Sequence, residues 1–199
     1  MTVIGRGAEA VLTRTATGVQ KHRIEKTYRH PVLDKKLRQF RTRREAKVLQ
    51  TLARIDFPGP ELMLVDDKNM VLEMSFVEGK VLKDALETNP ARYGGEVGMG
   101  VGRLHANNVI HADLTTSNMI LKNDGVHFID FGLTFFSEKP EDMAVDINLL
   151  DKAIESKHNS VHKEFMDAFI AEYKKTHQGH ESVLKRLEKV RARGRNKTK

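Results

Sequence analysis

The stretch VIHADLTTSNMIL, Val109–Leu121, sets a histidine, an aspartate and an asparagine in a short polar loop between apolar flanks. Asp and Asn are weak strand and helix formers, so propensity does not account for them. One reading is a turn whose Asp, Thr and Ser side chains bond their own backbone. The other is a loop that does chemistry, and the rest of the chain decides between them.

A second acidic signal follows in FIDFG, Phe128–Gly132. An aspartate closing an apolar strand is costly if buried without a partner, and a metal ion would satisfy it. Asn118 and Asp130 supply the hard oxygen ligands that Mg2+ prefers when it also holds phosphates. Asp113 is then left to accept a proton from an attacking hydroxyl or water. Leu114, Thr115, Thr116 and Ser117 separate Asp113 from Asn118. That spacing, with the later D-F-G, is the protein-kinase order H-R-D-L-x-x-x-N … D-F-G. Two motifs in order favour phosphate chemistry over a capped turn.

The N-terminal half supplies complementary parts. GRGAEA, Gly5–Ala10, is a reduced phosphate-covering glycine loop with Gly5, Gly7, Ala8 and Glu9, and Ala10 where a third glycine would fall. Two glycines in a hairpin are commonplace, so alone the loop is a weak signal. Lys21, in VQK on the third strand, stands where V-A-I-K places a phosphate-binding lysine. Glu45, on the following helix, is its expected partner over the α and β phosphates. Alone, the two read as a solvated lysine and a helix-surface ion pair. Phosphoryl transfer is mostly positioning and electrostatics, so the set raises each member. Leu72, Glu73, Met74 and Ser75 are expected to line an adenine site through backbone groups.

The chain has 199 residues, 39% hydrophobic and 31% charged, which fits a globular protein with a real core. It lacks cysteine, which excludes disulfides and thiolate metal sites and fits a reducing cytosol. No run of about 18 apolar residues suggests a membrane span, and the first residues lack a secretory leader's pattern. The net charge of +7 points to an anionic partner. Lys185–Lys199 carries eight basic residues against Glu188 alone, whereas Glu138–Glu155 carries six acids against two lysines. A partly disordered basic arm is the expectation for the C-terminus.

Strand-like runs at Val3-Ile4, Ala10–Leu12 and Val19–Ile24 are followed by a helical pattern from Pro31 that FPGP, Phe57–Pro60, stops. A strand pair flanks Asp66–Asn69, and another flanks Asn123–Gly125. Helical spacing marks Val97, Val101 and Leu104; Ile147, Leu150 and Ile154; Val161, Phe165, Phe169 and Tyr173; and Val183, Leu187 and Val190. This describes an α+β, minimal bilobal protein-kinase-like fold with a cleft. Its expected parts are a β-rich lobe over 1–75, a helical lobe over 76–184 and a basic tail over 185–199. Ala112 replaces the arginine of H-R-D. Sixteen residues take Asp130 to Asp146 without an A-P-E motif, so the activation segment is truncated and a peptide substrate is not expected to be chosen unaided. His111 is read as a core histidine bracing the loop rather than a zinc ligand. The Phe165, Phe169 and Tyr173 stripe is read as packing.

These residues, with KHRIEKTYRHPVLD (Lys21–Asp34), RTRREAKVL (Arg41–Leu49), AVDINLLDKA (Ala144–Ala153) and VRARGRNK, resemble the PRPK-type atypical kinase family of the KEOPS (EKC) complex. The tract YRHP with RTRREA is the most discriminating, and the likeness covers essentially the whole chain. Where Ala112 stands, the family more often has glycine. The resemblance implies that Lys21, Glu45, Asp113, Asn118 and Asp130 serve ATP and Mg2+, and that Asp146 props the catalytic loop. It implies a cytoplasmic ATPase and serine/threonine kinase that supports threonylcarbamoylation of adenosine at tRNA position 37. The implied partners are the transferase subunit, a small subunit on the N-terminal lobe, and tRNA through the complex and the basic tail. The alternatives are a nucleotide-bound scaffold without turnover, or a RIO-type or small-molecule phosphotransferase. DFG and YRHP weigh against the last.

Overall fold

The computed structural model describes residues 2–195, and the chain folds as two compact units. Of the described residues, the first comprises those up to 77 with 131–133, the second 78–130 with those from 134 onwards.

In the first unit, β1 (Thr2–Arg6), β2 (Val11–Arg14), β3 (Val19–His22), β4 (Leu62–Asp66) and β5 (Val71–Met74) form an antiparallel sheet in the order β1-β2-β3-β5-β4. The glycine-bearing turn joins β1 to β2, and Lys21 pairs with Leu12 on one side and Leu72 on the other. Helix α1 (Pro31–Arg54) opens with proline, whose fixed φ suits a first helical turn. It buries Glu45, Ala46, Val48, Leu49 and Leu52. It ends before FPGP, with Asp56 at φ 48 and the Phe57 N–H returning to Leu52 O at 3.0 Å. Between β4 and β5, Asp66 Oδ1 accepts the N–H groups of Lys68 and Asn69 at 3.2 and 3.0 Å, an Asx turn that fixes the hairpin.

The second unit is mainly helical. Helices α2 (Pro90–Ala106), α3 (Pro140–Lys157), α4 (His162–Thr176) and α5 (His180–Arg195) surround Val97, Val101, Leu104, Ile147, Leu150, Phe165 and Phe169, all fully buried. Helix α2 packs against α4 with no room for side chains at two positions where its glycines meet α4 backbone. A Cβ on Gly94 would lie 2.2 Å from Phe165 O, and one on Gly98 2.2 Å from Phe169 O. Strands β6 (Lys80–Val81), β8 (Met119–Lys122) and β9 (Gly125–Phe128) make one small sheet, and β7 (Val109–Ile110) pairs with β10 (Phe135–Phe136). Strands β6, β7 and β10 escape the sequence reading because two residues carry no period. Val161 likewise sits in a 3-10 turn before α4 rather than inside the helix.

The helix expected from Val183, Leu187 and Val190 reaches into the basic stretch, where α5 continues to Arg195, so much of the arm expected to be partly disordered is helical. Val183 and Leu187 are buried. The Arg186 and Arg193 guanidiniums pair with Glu141 of α3 at 3.0 and 2.6 Å, and Arg191 pairs with Asp151 at 2.9 Å. The acid-rich stretch of α3 is therefore the counter-surface for much of the basic stretch of α5. The remainder of that basic stretch, residues 196–199, lies outside the described residues.

Candidate functional site

In the second unit, strand β7 delivers the loop at 111–118 and strand β9 delivers Asp130. The two segments are tied by the Ile129 N–H, which donates to Asn118 O at 3.0 Å. Asp146, fully buried on α3, accepts the N–H of His111 at 2.9 Å on Oδ2 and of Ala112 at 2.8 Å on Oδ1. Those bonds hold Ala112 at φ 65, a conformation that L side chains resist. The next residue is Asp113. Its carbonyl and its Oδ2 accept from Asn118 Nδ2 at 2.9 and 2.8 Å. With its amide protons spent on Asp113, Asn118 keeps Oδ1 as the group suited to a cation. Asp130 is an exposed carboxylate at φ 59, on the segment tied to Asn118. One amide oxygen and one carboxylate fit the sparse protein share that Mg2+ takes when substrate phosphates supply further ligands. No cluster of three or more His, Cys, Asp or Glu suited to a metal occurs among the described residues, so a cage built from protein alone is not what this set offers.

His111 is buried, and its Nδ1 accepts the Asp113 N–H at 3.3 Å. Burial pushes its pKa down, against the opposing charges of Asp146, Asp113 and Asp130. It is a neutral brace of the loop, as its sequence context suggests. Behind it, His105 Nε2 faces Asp146 Oδ2 at 3.3 Å and His105 Nδ1 faces the Tyr173 hydroxyl at 2.9 Å. A carboxylate only accepts, so His105 Nε2 carries the proton of that bond. Burial raises the Tyr173 phenol well above its ordinary value, which keeps it a donor. Sequence reasoning misses His105 and Tyr173 as supports. Helical spacing marks Tyr173 only as core and leaves His105 unmarked, and their polar tips give no sequence signal.

In the first unit, Lys21 and Glu45 are brought together: Lys21 Nζ lies 2.7 Å from Glu45 Oε1, and both side chains are buried. A second cation, absent from the sequence reading, joins them, because Arg23 Nη2 bonds the other oxygen, Glu45 Oε2. The glycine turn carries a different surprise. Glu9 is held by Arg29 at 2.9 Å and Arg41 at 2.7 Å. The Arg29 hydrogen bond leads in keeping its carboxyl below the usual range. Its side chain therefore anchors the turn. The Gly7 N–H is spent on Ala10 O at 3.0 Å, and Gly5 belongs to β1 opposite Leu12. Ala8, at the tip of the turn, is exposed. Glu73 sits within β5, its backbone paired with β3 and β4 and its carboxylate bonded by Gln20 at 3.2 Å. Ser75 lies past the strand end, its N–H donated to Glu61 O at 2.8 Å and its Oγ accepting from Glu61 N at 2.8 Å.

Comparison with known proteins adds the family. The RIO domain model matches residues 10–173. The chain is 40% identical over 194 residues to the EKC/KEOPS complex subunit BUD32 of Encephalitozoon cuniculi, covering 96% of this chain and 94% of that protein. It is 41% identical over 177 residues to the KEOPS complex subunit Bud32 of Pyrococcus abyssi, covering 87% and 74%. The chain is a Bud32-type member of the RIO-domain family. A probable bifunctional tRNA threonylcarbamoyladenosine biosynthesis protein of Methanocaldococcus jannaschii is 38% identical over 198 residues, and there the match spans only 36% of the longer protein. Among solved structures, the Rio2 kinase of Chaetomium thermophilum superposes with a TM-score of 0.64 at 15% identity, over 98% of this chain and 73% of that one. Another structure of that kinase, a complex with ADP/Mg2+ and phosphoaspartate, gives 0.60 at 15% identity over 100% and 72%. At that identity the likeness shows the kinase-like fold alone. RIO-type and KEOPS-type, weighed as competitors on the sequence, are not alternatives: this Bud32-type chain matches the RIO domain as well.

Proposed function

We propose that this protein is the kinase-like ATPase subunit of a KEOPS complex and supports threonylcarbamoyl-adenosine formation at tRNA position 37 by hydrolysis or phosphoryl transfer from Mg-ATP. The observation that carries the chemistry is the double hydrogen bond from Asn118 to Asp113, in a loop that Asp146 pins from below. In this reading it orients one carboxylate as a proton acceptor and leaves the Asn118 amide oxygen for a cation. The relatives named as KEOPS subunits support the biological setting.

Each residue has a distinct task in this reading. Asp113 receives the proton of the attacking hydroxyl or water. Asn118 and Asp130 hold Mg2+, which when bound neutralises charge on the transferred phosphoryl group. Lys21 offers a positive point charge to phosphate, and Glu45 orients it. Gly5, Gly7, Ala8 and Glu9 shape the turn that covers the phosphates, with backbone N–H groups as its donors. Glu73 and Ser75 flank the adenine side. No helix among the described residues is long and apolar enough to cross a membrane, and a cytoplasmic site of action fits a tRNA-modifying complex. The transferase subunit, a small subunit on the N-terminal part, and tRNA are the proposed partners.

A second reading, a nucleotide-holding scaffold, draws on one feature. After Asp130 the chain reaches β10 at Phe135 and α3 at Pro140, which leaves no platform for a peptide. Phosphate release from Mg-ATP by the wild type, Asp113→Asn and Asp130→Ala, with and without the transferase partner and tRNA, separates the two. Release that rises with the partners and falls by ~10²–10⁴-fold in Asp113→Asn supports the ATPase. Nucleotide binding with no release in any condition supports the scaffold.

A further inference from the structure

The Glu9 carboxylate, in the turn between β1 and β2, is gripped from two directions within the first unit. Arg29, in the segment before α1, meets it with both ends of its guanidinium, Nη2 on Oε1 at 2.9 Å and Nη1 on Oε2 at 3.4 Å. Arg41, within α1, adds Nη1 on Oε2 at 2.7 Å. The side chains of Glu9, Arg29 and Arg41 are 31%, 21% and 22% exposed, so the bonds are partly sheltered yet still open to salt. The pull runs both ways: Arg29 leads in holding the Glu9 carboxyl below its usual range, and Glu9 leads in raising the Arg29 guanidinium. Behind them, Arg29 faces the buried Asp34 at 3.6 Å, and Asp34 takes Arg38 Nε at 2.6 Å. Charge therefore ties the turn to the first half of α1, the helix that also carries Glu45.

The glycines of the turn are not what this latched conformation requires. A Cβ on Gly5 would lie 3.6 Å from Leu12 Cδ1 and one on Gly7 3.7 Å from Ala10 O, both ordinary contacts, and neither glycine holds a left-handed φ. Their backbone freedom goes unused here and serves a turn that also opens. We infer that Arg29 and Arg41 are positioning residues that act through Glu9: they latch the turn onto α1, and the latch sets how fast a nucleotide leaves from under it. A covering loop without a tether opens at its own rate, and opening can limit release. This rests on the nucleotide reading given above, in which the turn covers the phosphates.

The test follows release of fluorescently labelled Mg-ADP by stopped flow, which needs no turnover, beside the KM and kcat for Mg-ATP and the Tm of the nucleotide-free protein. The variants are Glu9→Gln, Arg41→Gln, Arg41→Lys and the double variant Glu9→Gln with Arg41→Gln; Arg41 is a cleaner probe than Arg29, which also faces Asp34. Glu9→Gln and Arg41→Gln are each expected to speed release by about 3–10-fold, as for the loss of a partly exposed charge-assisted bond, and to raise KM in step. The kcat is expected to change little, because Asp113 is held by Asn118 in the second unit. Arg41→Lys keeps the charge and recovers part of the loss, and the double variant releases little faster than Glu9→Gln. Salt is expected to speed release from wild type more steeply than from Glu9→Gln. Wild-type release in Glu9→Gln and Arg41→Gln, whatever their Tm, makes the network a matter of stability alone and overturns the inference. An Arg41→Gln effect undiminished in the Glu9→Gln background overturns it as well. Should Glu9→Gln not fold, Glu9→Asp, one methylene too short to meet both guanidiniums, decides: faster release supports the latch and wild-type release refutes it. Lys21→Ala keeps the two levels apart. If it binds Mg-ADP like wild type, the nucleotide reading itself fails; if it weakens binding while Glu9→Gln releases at the wild-type rate, only the latch falls.

Discussion

Asp146 accepts the backbone N–H of Ala112 at 2.8 Å, and this bond sustains a left-handed residue immediately before the proposed base. The same carboxylate takes the His111 N–H and faces His105, so three groups depend on one buried acceptor. Asp146→Asn replaces an oxygen by an N–H group that must face one of those donors. The expected loss is about 2–4 kcal/mol of stability, because a buried charged acceptor with several donors is removed. Nucleotide turnover is expected to fall further than stability explains, since Asp113 loses its support. Urea unfolding beside ATPase rates measures both, and a variant of wild-type stability and rate would remove Asp146 from the design.

Ala112 itself carries strain that glycine would not. Ala112→Gly is expected to stabilise by up to ~1 kcal/mol, the left-handed penalty partly cancelled by the greater unfolded-chain entropy of glycine. Ala112→Val is expected to cost about 1–3 kcal/mol. Denaturant midpoints at equal slope decide it, and equal midpoints for the three would mean the bonds from Asp146 do not impose this conformation.

How much of this is legible in the sequence divides along physical lines. The motif residues Asp113, Asn118 and Asp130 stand out because no strand or helix wants them, and Pro31 and FPGP announce the ends of α1 in their own chemistry. Arg23 does not stand out, because an arginine in a strand-like run reads as surface until the structure shows it buried on Glu45. Glu9 reads as part of a phosphate turn, yet its carboxylate belongs to Arg29 and Arg41. Sequence order cannot reveal an ion pair between residues far apart in the chain. The C-terminal arm misleads for the same reason: Lys and Arg density reads as repulsion and disorder until the acids of α3 are placed beside it.

The glycines of α2 give a sharp contrast. Gly98 faces α4, where a Cβ would meet Phe169 O at 2.2 Å and its Cα at 2.9 Å. Gly98→Ala must push the two helices apart and is expected to cost about 1–3 kcal/mol. Gly95, on a neighbouring face of the helix, offers its Cβ a side-chain atom of Glu172 at 3.4 Å. Gly95→Ala is expected to gain about 0.5–1 kcal/mol from helix propensity alone. Thermal unfolding of the pair checks the sign, and two shifts in one direction would contradict the close approach.

His177 sits below the ordinary histidine value, through burial first and then the charges of His105 and His180. The native state therefore favours its neutral form, while the unfolded chain takes up the proton at the ordinary value. The unfolded state binds more protons below about pH 6.5, so this contribution is present above that pH and is lost as pH falls through it. His177→Gln is expected to lose less Tm than wild type between about pH 7.5 and 5.5, on either side of that value. Parallel curves for the two proteins would show that His177 does not couple protonation to folding.

Asp151, also on α3, holds the C-terminal helix through Arg191. Its Oδ2 accepts from Arg191 Nε and Nη2, both at 2.9 Å, while Oδ1 faces His162 Nε2 at 2.7 Å. The carboxylate is nearly buried and the guanidinium is about one-third exposed, so the pair is worth more than a surface ion pair but remains open to salt. Asp151→Ala is expected to cost about 1–3 kcal/mol and to loosen α5. A free basic arm would be indifferent to this change, whereas a helix zipped to α3 is not. Hydrogen exchange read on α5 amides should rise in Asp151→Ala while those of α2 stay protected. If tRNA affinity rises at the same time, the arginines held by α3 are a reserve of positive charge that the fold withholds. If tRNA affinity is unchanged while α5 opens, the phosphate-binding charge lies elsewhere on the chain.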